Sequence, residues 1–319
     1  MRRRIKIRYR EVEDMLAAIG YPESDLYSLP VSEKRFADGA QYRLEVSGVE
    51  RLSTLEALLD EKEKLNVPIH RIICTCMGST YLTKEELRAF AKLAHEAKLE
   101  VILSPGPRGG WDIGAKSSRT PEGAGAGTRL RGMDSLRNYV RDIERCLELG
   151  FRGFLCTDEG SLFMMNALRA AGKIPADTIF KVSVATGHAH PGAAKMFETI
   201  GANTFNPSCD ATLPQLAAMR QCVDIPFDLH VINFDAQGAQ NRMWDVAEIA
   251  RVAAPVYFKI EPGESFCGTY TLWNKAQNDT MIREKVRIAK TILEIMEVTG
   301  PDLICSPNAP ADLHVPVVE

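Results

Sequence analysis

The chain predicts a (β/α)8 barrel (a TIM barrel), the α/β class whose parallel sheet closes on itself. Three observations predict it. From residue 40 onward a short β-rich run and a helical pattern alternate eight times. The runs end in small or polar residues, and glycines stand where helices should stop. The array takes roughly 250 residues, the usual size of such a barrel. Strands alternating with helices imply a parallel sheet. An open doubly wound sheet is the alternative, although no GxGxxG follows the first strand and no P-loop is present.

The first unit is "YRLEVSG" (42–48) with "STLEALLDEKEKLN". The second is "HRIICTC" (70–76) with "TKEELRAFAKLAHEAK". The third is "LEVILSPGP" (99–107), then a long Gly-rich loop and "MDSLRNYVRDIERCLELG". The fourth and fifth are "FRGFLCTDEG" (151–160) with "SLFMMNALRAAG", and "IFKVSVATGH" (179–188) with "PGAAKMFETIG". The sixth and seventh are "ANTFNPSCD" (202–210) with "TLPQLAAMRQCV", and "PFDLHVINFD" (226–235) with "WDVAEIARVAA". The eighth, "VYFKIEPG", leads to "MIREKVRIAKTILEIMEVTG". Helices are assigned from apolar spacings of three and four. In the last one Val286, Ala289, Ile292, Leu293 and Met296 share a face. Asp210 or Thr212 should cap the helix after the sixth strand, and Ser53 the helix after the first. Gly150, Gly172, Gly201 and Gly300 mark helix ends. Residues 1–39 fall outside the repeat as an N-terminal extension. It holds a short helix in "EVEDMLAAIGYP" and is expected to plug the barrel bottom or to join a dimer contact. Residues 40–300 form the barrel, and 301–319 a Pro-rich extended tail.

The 319 residues are 45% hydrophobic and 25% charged, with a formal net charge of −3. That balance suits a globular enzyme or binding protein and gives no pull toward nucleic acid or membrane. The start "MRRRIKIRYREVEDML" is basic, but no apolar core follows it. It reads as neither a signal peptide nor a span, and the cytoplasm is the expected compartment. The eight cysteines are scattered, without C-x-x-C. They are expected to be reduced and mostly to act as small apolar filler.

Side chains alternate along a strand, and in a barrel the large apolar set faces the helices. Tyr42, Leu44 and Val46 then point outward, leaving Arg43, Glu45 and Ser47 inside. Likewise Lys181 and Ser183, Asp228 and His230, and Lys259 and Glu261 should line the axis, with Thr204, Asn206 and Ser208 sharing one face. Arg43, Lys181 and Lys259 against Glu45, Asp228 and Glu261 form either a satisfied ionic filling or a site. Position favours a site for the C-terminal members, since barrel chemistry sits at that end. They are Glu45, Asn206, Ser208, His230 and Glu261, joined by Asp158, Glu159 and His188 on adjoining loops.

Several chemistries fit these residue types. Glu45, His230 and Glu261 are suitable ligands for a divalent metal ion (Zn, Mn or Mg) that would polarise a carbonyl or activate water. Lys259 or Lys181 is a candidate Schiff-base or general-base lysine of an aldolase-type lyase or isomerase. The loop 106–132 carries Arg108, Lys116, Arg119, Arg129 and Arg131. It is expected to form a lid over the mouth, with Arg108 binding an anionic group. Only Trp111 accompanies those cations, so the loop does not read as a nucleic-acid binder. There is no G-x-S-x-G elbow and no recognised Cys/His signature, which leaves a serine or cysteine nucleophile unsupported.

The stretch "FKVSVATGHAHPGAAKMFETIGANTFNPSCDATLPQLAAMRQCVDIPFDLHV", with "GFRGFLCTDEG" before it, resembles the peptidase U32 family across residues 40–300. The resemblance implies a barrel. By family name it implies proteolysis, and some members carry an iron–sulfur cluster and serve RNA or quinone hydroxylation. The chain departs from the family at "PFDLHVINFDAQGAQN". Asp228 stands for the family's acid, while the His-Gly pair and the Cys are missing. An iron–sulfur cluster is therefore not expected. The resulting expectation is a hydrolase acting on a small polar or anionic carbonyl or peptide-like substrate. His230, Glu261, Lys259 and Glu45 are its catalytic candidates, and Arg108, Asn206, Ser208, Asp158 and His188 bind substrate. The alternatives are an aldolase-type lyase or isomerase, and a non-catalytic ligand-binding subunit. A small molecule is the expected partner, together with a second copy of the chain in a homo-oligomer, but neither nucleic acid nor a membrane.

Overall fold

The computed structural model describes residues 12–22, 28–74, 79–106, 129–264 and 272–318. After a short helix α1 (Val12–Ala18), strands and helices alternate. They are β1 (Tyr42–Ser47), α2 (Leu52–Leu65), β2 (Ile69–Cys74), α3 (Lys84–Glu96), β3 (Glu100–Leu103), α4 (Gly132–Leu147), β4 (Gly153–Cys156) and α5 (Glu159–Ala170). β5 (Ile179–Val182), α6 (Pro191–Thr199), β6 (Thr204–Phe205), α7 (Leu213–Cys222), β7 (Phe227–Ile232), α8 (Val246–Ala253), β8 (Val256–Ile260) and α9 (Lys275–Thr299) follow. The strands pair in parallel in chain order, and β8 returns to β1, which closes the predicted barrel and rules out the open sheet.

The outward set packs as expected. Tyr42, Leu44, Val46, Phe180, Val182, Phe227, Leu229, Phe258 and Ile260 belong to the one large core between sheet and helices. Helix ends follow their local chemistry. Thr212, not Asp210, caps α7, and the Gln215 side chain completes a capping box. α2 has Arg51 at its N-cap, so Ser53 lies inside the helix rather than before it. α9 starts at Lys275, earlier than its apolar stripe suggests, and packs chiefly on α2 to complete the outer ring.

The axis is divided, which the expectation of a polar lining missed. Ile73, Ile102, Leu155 and Ile179, from β2 to β5, form an apolar cluster of their own. Gly153 belongs to that half, where a Cβ would overlap the Val101 carbonyl across to β3. The charged side chains come from both halves, since Arg71 on β2, Glu100 on β3 and Lys181 on β5 join Glu45 and Asp228 in one layer.

The N-terminal end is sealed twice. Phe36 meets Tyr257 edge-on at 5.2 Å, and the Arg43 guanidinium lies 4.0 Å over the Phe36 ring. The tail then crosses beneath. Arg43 donates to Ser306 Oγ at 2.8 Å and pairs with Asp312 at 2.6 Å and Asp38 at 3.2 Å. Val317 N donates to the Gly150 carbonyl at 2.8 Å, and at φ +97° only glycine fits there without strain. His70 sits at the irregularity where Leu44 pairs with Ile69 but Glu45 with Arg71. Its Nδ1 accepts the freed Leu44 N–H at 3.0 Å, and Nε2 reaches the Ser306 carbonyl at 3.1 Å.

Candidate functional site

Three strands set the geometry by register alone. Glu45 on β1 pairs with Lys259 on β8, which pairs with His230 on β7. Their side chains therefore stand abreast on the inner face.

Below the mouth lies a closed ionic layer. Arg71 from β2 crosses the axis and donates to both Glu45 and Asp228, and reaches Glu100 at 3.4 Å. Its guanidinium lies 3.5 Å over the Tyr257 ring. Lys181 bridges the same two acids, 3.2 Å from Glu45 and 2.6 Å from Asp228, and Thr204 donates to Asp228 at 2.7 Å. Burial would raise the Asp228 carboxyl, but Arg71 and Lys181 hold it below its usual range. Asp228 is thus engaged in filling the barrel.

The mouth layer is less complete. Glu261 Oε2 accepts from Lys259 Nζ at 2.6 Å and from His230 Nε2 at 2.7 Å. A carboxylate only accepts, so the imidazole proton belongs on Nε2 and Nδ1 keeps its lone pair. That nitrogen faces Asn206 Nδ2 and Cys209 Sγ, each at 3.4 Å. Burial and then Lys259 push His230 down to about 4, so it is a neutral base. Burial would raise Glu261, but Lys259 and His230 hold it well below the carboxylate range. Burial pulls Lys259 down, and Glu261 with Glu45 more than offsets this, so it remains an ammonium. Glu45 Oε1, Asn206 Oδ1 and Glu261 Oε1 are among the buried acceptors that have no hydrogen-bond partner among the described residues. Buried acceptors are rarely left bare, which points to a ligand or water at this level.

Of the candidates read from sequence, Glu45, Asn206, His230, Lys259 and Glu261 thus meet on one arc. Ser208 does not join them, since its hydroxyl bonds Asp210 at 2.5 Å. Asp158 caps α5 through Ser161 N at 2.8 Å. His188 lies on the rim, 2.7 Å from Glu159, which Arg129 also binds. Arg108 and most of the 106–132 loop lie outside the described residues. The residue that sequence reasoning missed is Cys209, which lies 21 positions from His230 with no motif linking them.

The metal-ligand candidates are already engaged. His230 and Lys259 share one oxygen of Glu261, and Arg71 and Lys181 hold Glu45 Oε2. Among the described residues no three His, Cys, Asp or Glu side chains gather as a metal site. The lysine candidates divide, because Lys259 stays charged while burial lowers Lys181, itself only 1% exposed, to about 8. Among the described residues no helix is long and apolar enough to cross a membrane.

No protein-family model matches this chain, and no curated protein matches it. Solved structures similar to it include the U32 peptidase Mk0906, at 17% identity and a TM-score of 0.43, covering 75% of this chain and 99% of that one. D-Psicose 3-epimerase from Clostridium cellulolyticum H10 is similar at 10% identity and 0.46, covering 79% and 99%. The homocysteine methyltransferase MmuM from Escherichia coli is similar at 11% and 0.45, covering 75% and 95%. At these values the relationships are distant, and none of them bears on the chemistry of this chain.

Proposed function

We propose that the protein is a barrel enzyme acting on a small polar carbonyl compound, by hydrolysis, with His230 as general base. One observation carries this reading. Glu261 fixes the His230 proton on Nε2 while burial keeps the ring neutral, so a lone pair on Nδ1 is presented at the mouth. Glu261 orients the base. Lys259 uses one N–H on Glu261 and has others for an oxygen that becomes negative during reaction. The ammonium supplies positive charge at the mouth, so no step needs a metal. The aldolase-type alternative is weaker, because a Schiff base needs an unprotonated lysine and the carboxylates keep Lys259 charged.

The test is a panel of small esters, lactones, amides and oxo acids followed by NMR in heavy water. This reads both hydrolysis and exchange of carbon-bound protons. We expect hydrolysis by the wild type and a loss of roughly 10²–10⁴-fold in His230→Gln. Equal rates in both proteins would overturn the reading. Proton exchange without hydrolysis would favour the lyase or isomerase alternative, and binding without either would favour a ligand-binding subunit.

A further inference from the structure

Cys209 stands where the His230 lone pair points, and no role described so far uses it. Its Sγ lies 3.4 Å from His230 Nδ1, while the other ring nitrogen, Nε2, contacts Glu261 at 2.7 Å. The order is thiol, imidazole, carboxylate, the arrangement in which a base activates a nucleophile and an acid orients the base. The thiol also has a place for a substrate. Cys209 forms part of the wall of two clefts, one of about 200 Å³ with Val184, Ser208 and Gln237, and one of about 520 Å³ reaching Arg242. Asn206 supplies a second pointer to a ligand. Its side chain is 1% exposed, its amide nitrogen shares His230 Nδ1 with the thiol, and its Oδ1 has no partner among the described residues.

We propose that Cys209 is the nucleophile of this site and that the substrates are small esters, thioesters or amides, taken through a thioester on Cys209. The inference rests on His230 being the base. The Cys209 proton passes to His230 Nδ1 as sulfur attacks the carbonyl carbon. A C–S bond forms, and the carbonyl π pair moves to oxygen, beside the Lys259 ammonium. When the pair returns, the alcohol, thiol or amine leaves and takes the proton from Nδ1. Water then gives a proton to His230 and attacks the thioester. The C–S bond breaks, the acid departs, and the thiol is restored with no net change in oxidation state. Burial raises the resting thiol to about 12, so the thiolate is expected only when His230 takes its proton.

The test uses the full chain with p-nitrophenyl acetate and a rapid acid quench, read by nitrophenolate release and peptide mass mapping. The expected result is a burst close to one equivalent, with the acetyl group on Cys209. Acylation should slow by roughly 10²-fold or more in His230→Gln. Cys209→Ala and Cys209→Ser should melt within a few degrees of the wild type and give no adduct at that position. No acetyl group on Cys209, or wild-type turnover by Cys209→Ala, overturns the inference. If Cys209→Ala keeps the turnover that His230→Gln loses, the base stands and the nucleophile falls. If neither variant loses turnover, both fall.

Discussion

The two ends of the barrel axis are built from the same residue types and differ in how completely they are paired. Toward the N-terminal end, Arg43 has Ser306, Tyr257, Asp38 and Asp312 around it, and Arg71 touches three acids and an aromatic face. At the mouth, Glu261 and Asn206 each keep a buried oxygen without a partner among the described residues, and His230 Nδ1 has only contacts of 3.4 Å to Asn206 and Cys209. Buried charge is costly unless compensated. The lower layers meet most of that cost with protein groups, Glu45 Oε1 excepted, whereas the mouth leaves more of it unmet among the described residues. Charge type therefore does not separate filling from site, but the state of pairing does.

The sharpest break of that contrast is Arg71→Met. It leaves the buried Glu45 and Asp228 with Lys181 as the one cation bonded to both, beside the Thr204 hydroxyl on Asp228. We expect a loss of about 3–5 kcal/mol in urea unfolding, since removing one member strands its buried partners. A loss below about 1 kcal/mol would mean that the layer is not the structural filling described.

Next in size is acid sensitivity. Burial pushes both His70 and His230 down to about 4, one at each end of the axis. The unfolded chain has histidines near 6.5 and binds more protons between those values. Stability should therefore be flat above about pH 7 and fall as pH drops from about 6.5 to 4, by on the order of 2–3 kcal/mol per histidine. His230→Gln removes the share belonging to the mouth, so the limb left in that variant reports His70. Below that window the depressed Asp228 and Glu261 add their own loss as they protonate. A flat curve from pH 7 to 4 would contradict the buried, neutral placement of both rings.

A smaller effect tests the seal itself. Gly150→Ala puts a Cβ against the Val317 carbonyl at a positive φ. We expect about 1–2 kcal/mol of destabilisation and faster proteolytic release of the tail, with the mouth unaffected.

Much of this was legible in the sequence. The period-two pattern of "VYFKIEPG" placed Lys259 and Glu261 on the axis, and the same parity placed Arg43, Glu45, Asp228 and His230 correctly. The projection failed at β6. That strand ends at Phe205, and Pro207 cannot extend the ladder, so alternation stops before Ser208. The turn then carries Ser208 to Asp210 and brings Cys209 to His230. No periodicity encodes a contact made by a turn. The apolar half was missed for another reason, since "HRIICTC" and "LEVILSPGP" are apolar on both faces and parity gives no contrast there. The closing of Arg43 by Asp312 spans 269 positions and leaves no local trace.

The smallest expected effect on folding is also the one that best separates the two ends. His230→Gln removes an aromatic base from the mouth but leaves Lys259 paired with Glu261 at 2.6 Å. The carboxylate is not stranded, and the amide can donate a hydrogen bond toward it. We therefore expect less than about 1 kcal/mol in unfolding at pH 8, beside the roughly 10²–10⁴-fold loss of turnover. Arg71→Met should show the reverse bias, with stability lost first and turnover falling only as the fold does. If His230→Gln instead destabilises as strongly as Arg71→Met, then the histidine is a structural member of the barrel filling. The unpaired acceptors beside it would then be the only mark of a site.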